Sequence, residues 1–225
     1  MKKERKRDYE HISNCWYKNV CTNIECDSCI RYLEMKYLLD NSGIPEHRQQ
    51  PTVLTVDEAD YNAYCQLADI KDHIMDFVKD GSNIFICSEN TGNGKTTWAI
   101  KLLLKYFDNV WAGNGFKIRG MFVHVPTLLL QLKNFDNPLS EEYKKNLMEC
   151  DIVVWDDIAG STISAYDYGQ LLSYIDYRFL VNKPNILTSN CTDKESFEEL
   201  LGSKLASRIW NTSTIIKFIG SDRRR

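Results

Sequence analysis

The sequence predicts an α/β fold: a parallel sheet of five strands, doubly wound by helices, with a small cysteine-bearing module ahead of it. Three observations carry this. Five short apolar runs alternate with helical patterns, and strands that are apolar along their whole length belong to parallel sheets covered on both faces. A glycine-rich stretch separates the first run from the helix behind it. Four of the eight cysteines fall within fifteen residues near the start, apart from the rest.

In order, Ile30 to Leu39 reads as a short helix with Ile30, Leu33 and Tyr37 on one face, stopped at Asn41-Ser42-Gly43. The polar stretch 43–57, with Pro45 and Pro51, reads as a linker. Residues 60–79 form one helix, Asn83 to Cys87 a buried strand, and Thr96 to Phe107 a helix. Lys117 to Val125 is a strand, Pro126 to Lys133 a helix with proline in its first turn, and Ser140 to Met148 another helix. Ile152 to Trp155 is a buried strand, Tyr166 to Leu180 a helix, and Asn185 to Thr188 a strand. Two helices near 195–201 and 203–210 precede a last strand at Thr214 to Phe218. The predicted organisation is a module over 1–42, a linker over 43–57 and a core over 58–225.

Composition bounds the answer. A chain of 225 residues with 43% apolar content holds one full core and a small appendage, not two ordinary domains of ~150 residues. The net charge of −3 shows no bulk basicity, and the basic clusters at Lys2 to Arg7 and Arg223 to Arg225 read as solvated tails. The basic start leads into Asp8-Tyr9-Glu10-His11, and no window approaches the ~18 apolar residues of a spanning helix. The expected compartment is the cytoplasm, with no membrane partner. There the eight cysteines are metal ligands or buried small hydrophobes rather than a disulfide framework.

Glu89-Asn90-Thr91-Gly92-Asn93-Gly94-Lys95-Thr96 matches the phosphate-loop pattern except that Glu89 stands in place of its first glycine. Gly92 and Gly94 let the backbone turn its N–H groups around phosphates, the following helix points its positive end at them, and Lys95 reaches the terminal phosphates. Asn90 to Gly94, Lys95, Thr96 and Thr97 are therefore the candidate ATP-binding residues. The Thr96 hydroxyl is a candidate Mg²⁺ ligand. The run Ile152 to Trp155 delivers Asp156 and Asp157 at its C-terminal end, where ligands of open α/β sheets sit. Asp156 would orient Mg²⁺ and Asp157 would polarise the attacking water. The ordinary alternative is a strand followed by an acidic turn. Asp157 is shorter than the glutamate common at such positions, which makes binding a firmer expectation than turnover. Asn190 ends the strand at 185–188, where an amide can bond both the γ-phosphate and the lytic water. Arg208 rides a helix whose Leu205 and Ile209 face the core. It is either an arginine acting on a neighbouring subunit's phosphates or a surface ion pair.

Taken together, the segments Ser42-Gly43-Ile44-Pro45, Thr91 to Thr96, Val154 to Ile158, Tyr177-Arg178, Ile186 to Asn190 and Leu205 to Ile209 resemble the DnaC/DnaI-type replicative helicase loaders. These belong to the initiator clade of AAA+ ATPases with DnaA and the IstB-like transposition helpers. The resemblance runs over residues 43–225. It implies an AAA+ core lacking a full helical lid, since the chain stops at Arg225. By that resemblance Asn190 is the first sensor, Arg208 the arginine finger in trans and Arg224 the second sensor.

Cys15, Cys21, Cys26 and Cys29 supply the four thiolates of a tetrahedral structural zinc, the last two at the spacing one turn can present. About 40 residues bury too little apolar surface to fold alone, so Zn²⁺ would supply the missing free energy. His11 could replace one cysteine. Reduced thiols without metal, or a redox pair at Cys26 and Cys29, are the alternatives. The expected function is an ATPase that binds a replicative hexameric helicase through this module, self-associates through its core and helps place the helicase on single-stranded DNA, in a phage or plasmid setting. Two readings stand beside it: an IstB-like helper of transposition, and an adaptor or inhibitor whose nucleotide is structural.

Overall fold

The computed structural model describes residues 15–17, 29–110, 116–133, 139–160 and 164–223. His11, Cys21, Cys26, Arg224 and the basic clusters of residues 2–7 and 224–225 lie outside them.

The helices are α1 (Ile30–Asp40), α2 (Tyr61–Asp72), α3 (Ile74–Lys79), α4 (Lys95–Asn109), α5 (Val125–Leu132), α6 (Glu141–Glu149), α7 (Ala165–Leu180), α8 (Lys194–Leu201) and α9 (Ser203–Thr212). Between and among them run β1 (Asn83–Cys87), β2 (Gly120–His124), β3 (Ile152–Asp156), β4 (Asn185–Ser189) and β5 (Thr214–Lys217). All pairings are parallel and the strand order is β2-β3-β4-β1-β5. The chain leaves β1 for the far edge at β2, returns through β3 and β4, then crosses β1 to reach β5. Successive side chains on a strand point to opposite faces, and both faces are dry. Ile84, Ile86, Val154 and Ile186 face one apolar layer with α1 to α4. Phe85, Val153, Trp155 and Leu187 face another, shared with α5 to α9. The expected five-stranded, doubly wound α/β fold is the observed one.

Several local expectations shift. The helix expected over residues 60–79 is a 3-10 turn at Glu58–Asp60 followed by α2 and α3, divided at His73. His73 leaves helical geometry at φ −109°, ψ 28°, and both its N–H and its imidazole Nδ1 bond the Asp69 carbonyl at 3.0 Å. The strand expected over 117–125 narrows to β2, because Pro126 suits the first turn of a helix and draws Val125 into α5. On α1 the buried residues include Met35, Leu38 and Leu39, whereas Ile30 and Leu33 are exposed. Helix α1 belongs to the same apolar layer as α4, and the Ser42 carbonyl behind it accepts from the Phe122 N–H at the β2 edge (2.6 Å).

Among the scattered cysteines, Cys87 and Cys150 are buried while Cys65 is exposed. Burial pushes the Cys87 thiol up to about 11, so it stays protonated. Trp155 is a core aromatic whose Nε1 donates to Asn185 Oδ1 at 3.0 Å. Trp98 is buried against Tyr64, and Trp210 packs on Phe85 and Phe197.

Candidate nucleotide site

Parallel strands put all their carboxyl ends on one side of the sheet, and ligands of such sheets gather where strand order reverses. The ends of β1, β3 and β4 meet there. Beyond β1 the loop 88–94 turns into α4, with φ at Gly92 of 71° and at Gly94 of 102°. Side chains avoid this left-handed region, so these two glycines let the loop close ahead of the helix. The loop carries its own polar core. Asn93 is fully buried and its Nδ2 donates to Ser88 Oγ, which also accepts from the Asn90 N–H at 3.1 Å. Lys95 folds across this core, donating to the Asn90 carbonyl at 2.8 Å, to Asn93 Oδ1 at 3.4 Å and to the Ser88 carbonyl at 3.5 Å.

Glu89 does not face the phosphate side of the loop. Its Oε1 accepts from the Thr192 hydroxyl at 2.8 Å and lies 3.8 Å from Lys217 Nζ. The missing glycine is tolerated because the side chain projects toward the β4–α8 loop and β5.

The first turn of α4 faces the end of β3. Thr96 Oγ1 donates to Asp156 Oδ1 at 2.8 Å, and Thr188 Oγ1 at the end of β4 donates to the same oxygen at 2.7 Å. Thr188 in turn accepts from the Asp157 N–H at 3.0 Å. Asp157 sits at φ 57°, a conformation costing a non-glycine residue of order 1–3 kcal/mol. The bond to Thr188 helps hold it. The Asp157 carboxylate accepts from Asn190 Nδ2 at 3.3 Å. Four predicted residues, Thr96, Asp156, Asp157 and Asn190, thus converge through one that the sequence reading left as plain strand, Thr188. Its signal was the first of two adjacent hydroxyls, Thr188 and Ser189, that close an apolar run.

A cleft of about 890 Å³ opens over these groups. Its far wall is the stretch read as a linker, including Pro45, His47, Leu54 and Thr55. Arg223 also lines it, the direct neighbour of the predicted second sensor Arg224. Arg223 donates to Asp60 Oδ2 at 2.6 Å, to the Thr55 carbonyl at 2.9 Å and to the Tyr64 hydroxyl, and its N–H reaches the Gly92 carbonyl at 3.2 Å. Asp60, itself buried, accepts from the N–H groups of Ile219 and Gly220 at 2.7 and 2.9 Å. The segment after β5 is therefore strapped to the phosphate loop on one side and the α2 entry on the other.

Arg208 does not line this cleft. Its Nε lies 2.5 Å from Asp176 Oδ1 on α7. Lys133, Lys144 and Lys145 are also engaged, with Asp167, Glu141 and Glu149 at 2.8, 2.7 and 4.0 Å.

No protein-family profile matches the chain, and no curated protein matches it in sequence. Solved structures do. The chain superposes on a structure described as the DnaC helicase loader with TM-score 0.62 and 19% identity, over 74% of this chain and 93% of that one. For DnaI the values are 0.62 and 18%, over 80% and 94%. For AMPPCP-bound DnaA from Aquifex aeolicus they are 0.59 and 15%, over 74% of this chain and 48% of that one. The chain shares the fold of the DnaC helicase loader, DnaI and DnaA structures. In this core a hydroxyl and a carboxylate 2.8 Å apart, Thr96 and Asp156, form a hard-oxygen pair of the kind Mg²⁺ takes. Among the described residues, no group of three or more His, Cys, Asp or Glu side chains is arranged to hold a metal, and no helix is long and apolar enough to cross a membrane.

Proposed function

We propose that the chain is an ATP-hydrolysing loader that binds a replicative hexameric helicase and helps place it on single-stranded DNA. The observation that carries the reading is the Thr96–Asp156–Thr188–Asp157–Asn190 chain of contacts at the mouth of the phosphate loop, in a core that covers nearly all of the DnaC and DnaI structures. ATP binds in the cleft with its phosphates in the loop 88–94. Lys95 exchanges loop carbonyls for phosphate oxygens, a charge-assisted bond that is the stronger of the two. Thr96 and Asp156 hold Mg²⁺, which neutralises phosphate charge when bound. Asp157, oriented by Asn190, polarises the attacking water. Arg223 or Arg224 contacts the nucleotide from the C-terminal strap, and Arg208 serves a neighbouring subunit.

Cys15, Cys21, Cys26 and Cys29 carry a structural zinc in the segment that grips the helicase. The spacing of the four thiols supports this, as does the fact that Cys29 immediately precedes α1, which is packed on the core.

Capture of purified hexameric replicative helicase by the full chain, with and without ATP, tests the function. Capture that a chain starting at Cys29 loses, with α1 retained, is the expected result. Absence of helicase together with capture of duplex DNA would move the reading to an IstB-like transposition helper. Metal analysis of the same full-length preparation should return about one zinc per chain. A folded protein free of zinc would overturn the cysteine assignment.

A further inference from the structure

Adjoining the nucleotide cleft, along α4, lies a second cavity of about 320 Å³, within the range of small-ligand sites. Ile100 and Leu104, one turn apart and nearly inaccessible, contribute to its apolar lining with Trp16. Its rim is cationic: Arg48, Lys71, Lys101 and Lys105 line it. Among the described residues the lining holds one carboxylate, Asp108, which already faces Lys105 at 3.7 Å and Arg31 at 3.9 Å. Lys71 lies 3.1 Å from the exposed Asp72. Among the described residues Lys101 has a carbonyl rather than a carboxylate beside it, Thr52 at 3.5 Å, and it lies 5.1 Å from the centre of the Trp98 ring. Partial burial, and then the like charge of Lys71, lower its pKa. A protonated amine held against another cation and an apolar wall is stabilised by any anion placed beside it.

We propose that this cavity binds a small apolar anion, its aliphatic or aromatic body on the Ile100–Leu104 floor and one carboxylate, sulfonate or phosphate group at Lys71 and Lys101. Apolar surface without charge would suit any oily molecule, and the cations alone any salt. The two together, in a half-open pocket this size, select a molecule that carries both. Arg48 and Thr97 line this cavity and the nucleotide cleft alike, so the two sites adjoin at the first turn of α4. The proposal does not rest on the nucleotide reading.

The probe is 8-anilinonaphthalene-1-sulfonate, titrated by fluorescence into the full chain. Saturable binding at one site per chain is expected. Lys101→Glu should weaken it about tenfold, equivalent to about 1.4 kcal/mol, while Lys101→Arg, which keeps the charge, stays within about threefold. Absence of saturable binding, or equal affinity in Lys101→Glu, overturns the proposal. Displacement of the dye by excess ADP would place it in the nucleotide cleft and overturn it equally.

Discussion

Arg178 is a buried guanidinium whose hydrogen bonds go to neutral acceptors. Its nitrogens donate to the carbonyls of Leu147, Met148, Cys150, Asp151 and Pro184 and to Asn185 Oδ1, at 2.8 to 3.3 Å. Asn185 also receives Trp155 Nε1. One side chain of α7 thus ties the end of α6, the entry to β3 and the entry to β4, the two strands that deliver Asp156 and Asn190. Burial lowers its pKa from the ordinary arginine value. Arg178→Ala would leave several buried carbonyls without donors and a cavity beside Trp155. A loss of about 3–5 kcal/mol in urea unfolding is expected. A loss below ~1 kcal/mol would mean that water replaces the guanidinium and that it is no clamp.

At the level of elements, strand identity was legible because β1, β3 and β4 are buried on both faces and carry little but apolar residues until the chemistry begins at their ends. The phosphate loop was legible for a related reason: the glycines, the lysine and the threonine that it needs all fall between Gly92 and Thr96. What failed was long-range. Ile30, Leu33 and Tyr37 have helical spacing, yet α1 turns Met35, Leu38 and Leu39 inward, because the position of α4 decides which of two apolar faces is covered. The break at His73 leaves no proline or glycine in the sequence to announce it. Thr188 and Arg223 join the site through partners on other elements, among them Asp156 and Asp60. Residues 43–57 read as a linker because they are polar and carry two prolines. Their role as a cleft wall arises from folding back over the loop, a contact that no local pattern encodes.

For the whole molecule, the proposed ATPase reading turns on Arg208. Helix α9 turns its apolar face to the core, with Leu205, Ala206 and Ile209 buried. Arg208 is left half-exposed beside Asp176, with Lys204 3.9 Å from the same carboxylate. Such a pair contributes at most ~1 kcal/mol to folding, so it is readily given up for a phosphate. Since the side chain does not line its own chain's cleft, the proposed function has it meet a nucleotide presented by a second copy. Arg208→Ala should therefore leave the ATP affinity of the dilute chain unchanged, and should abolish the rise in turnover per chain as protein concentration increases. A fall of about 10³-fold or more in assembled turnover is the scale for such an arginine. Turnover that rises with concentration in the variant as in the parent would return Arg208 to the ion pair with Asp176 and leave assembly to other residues.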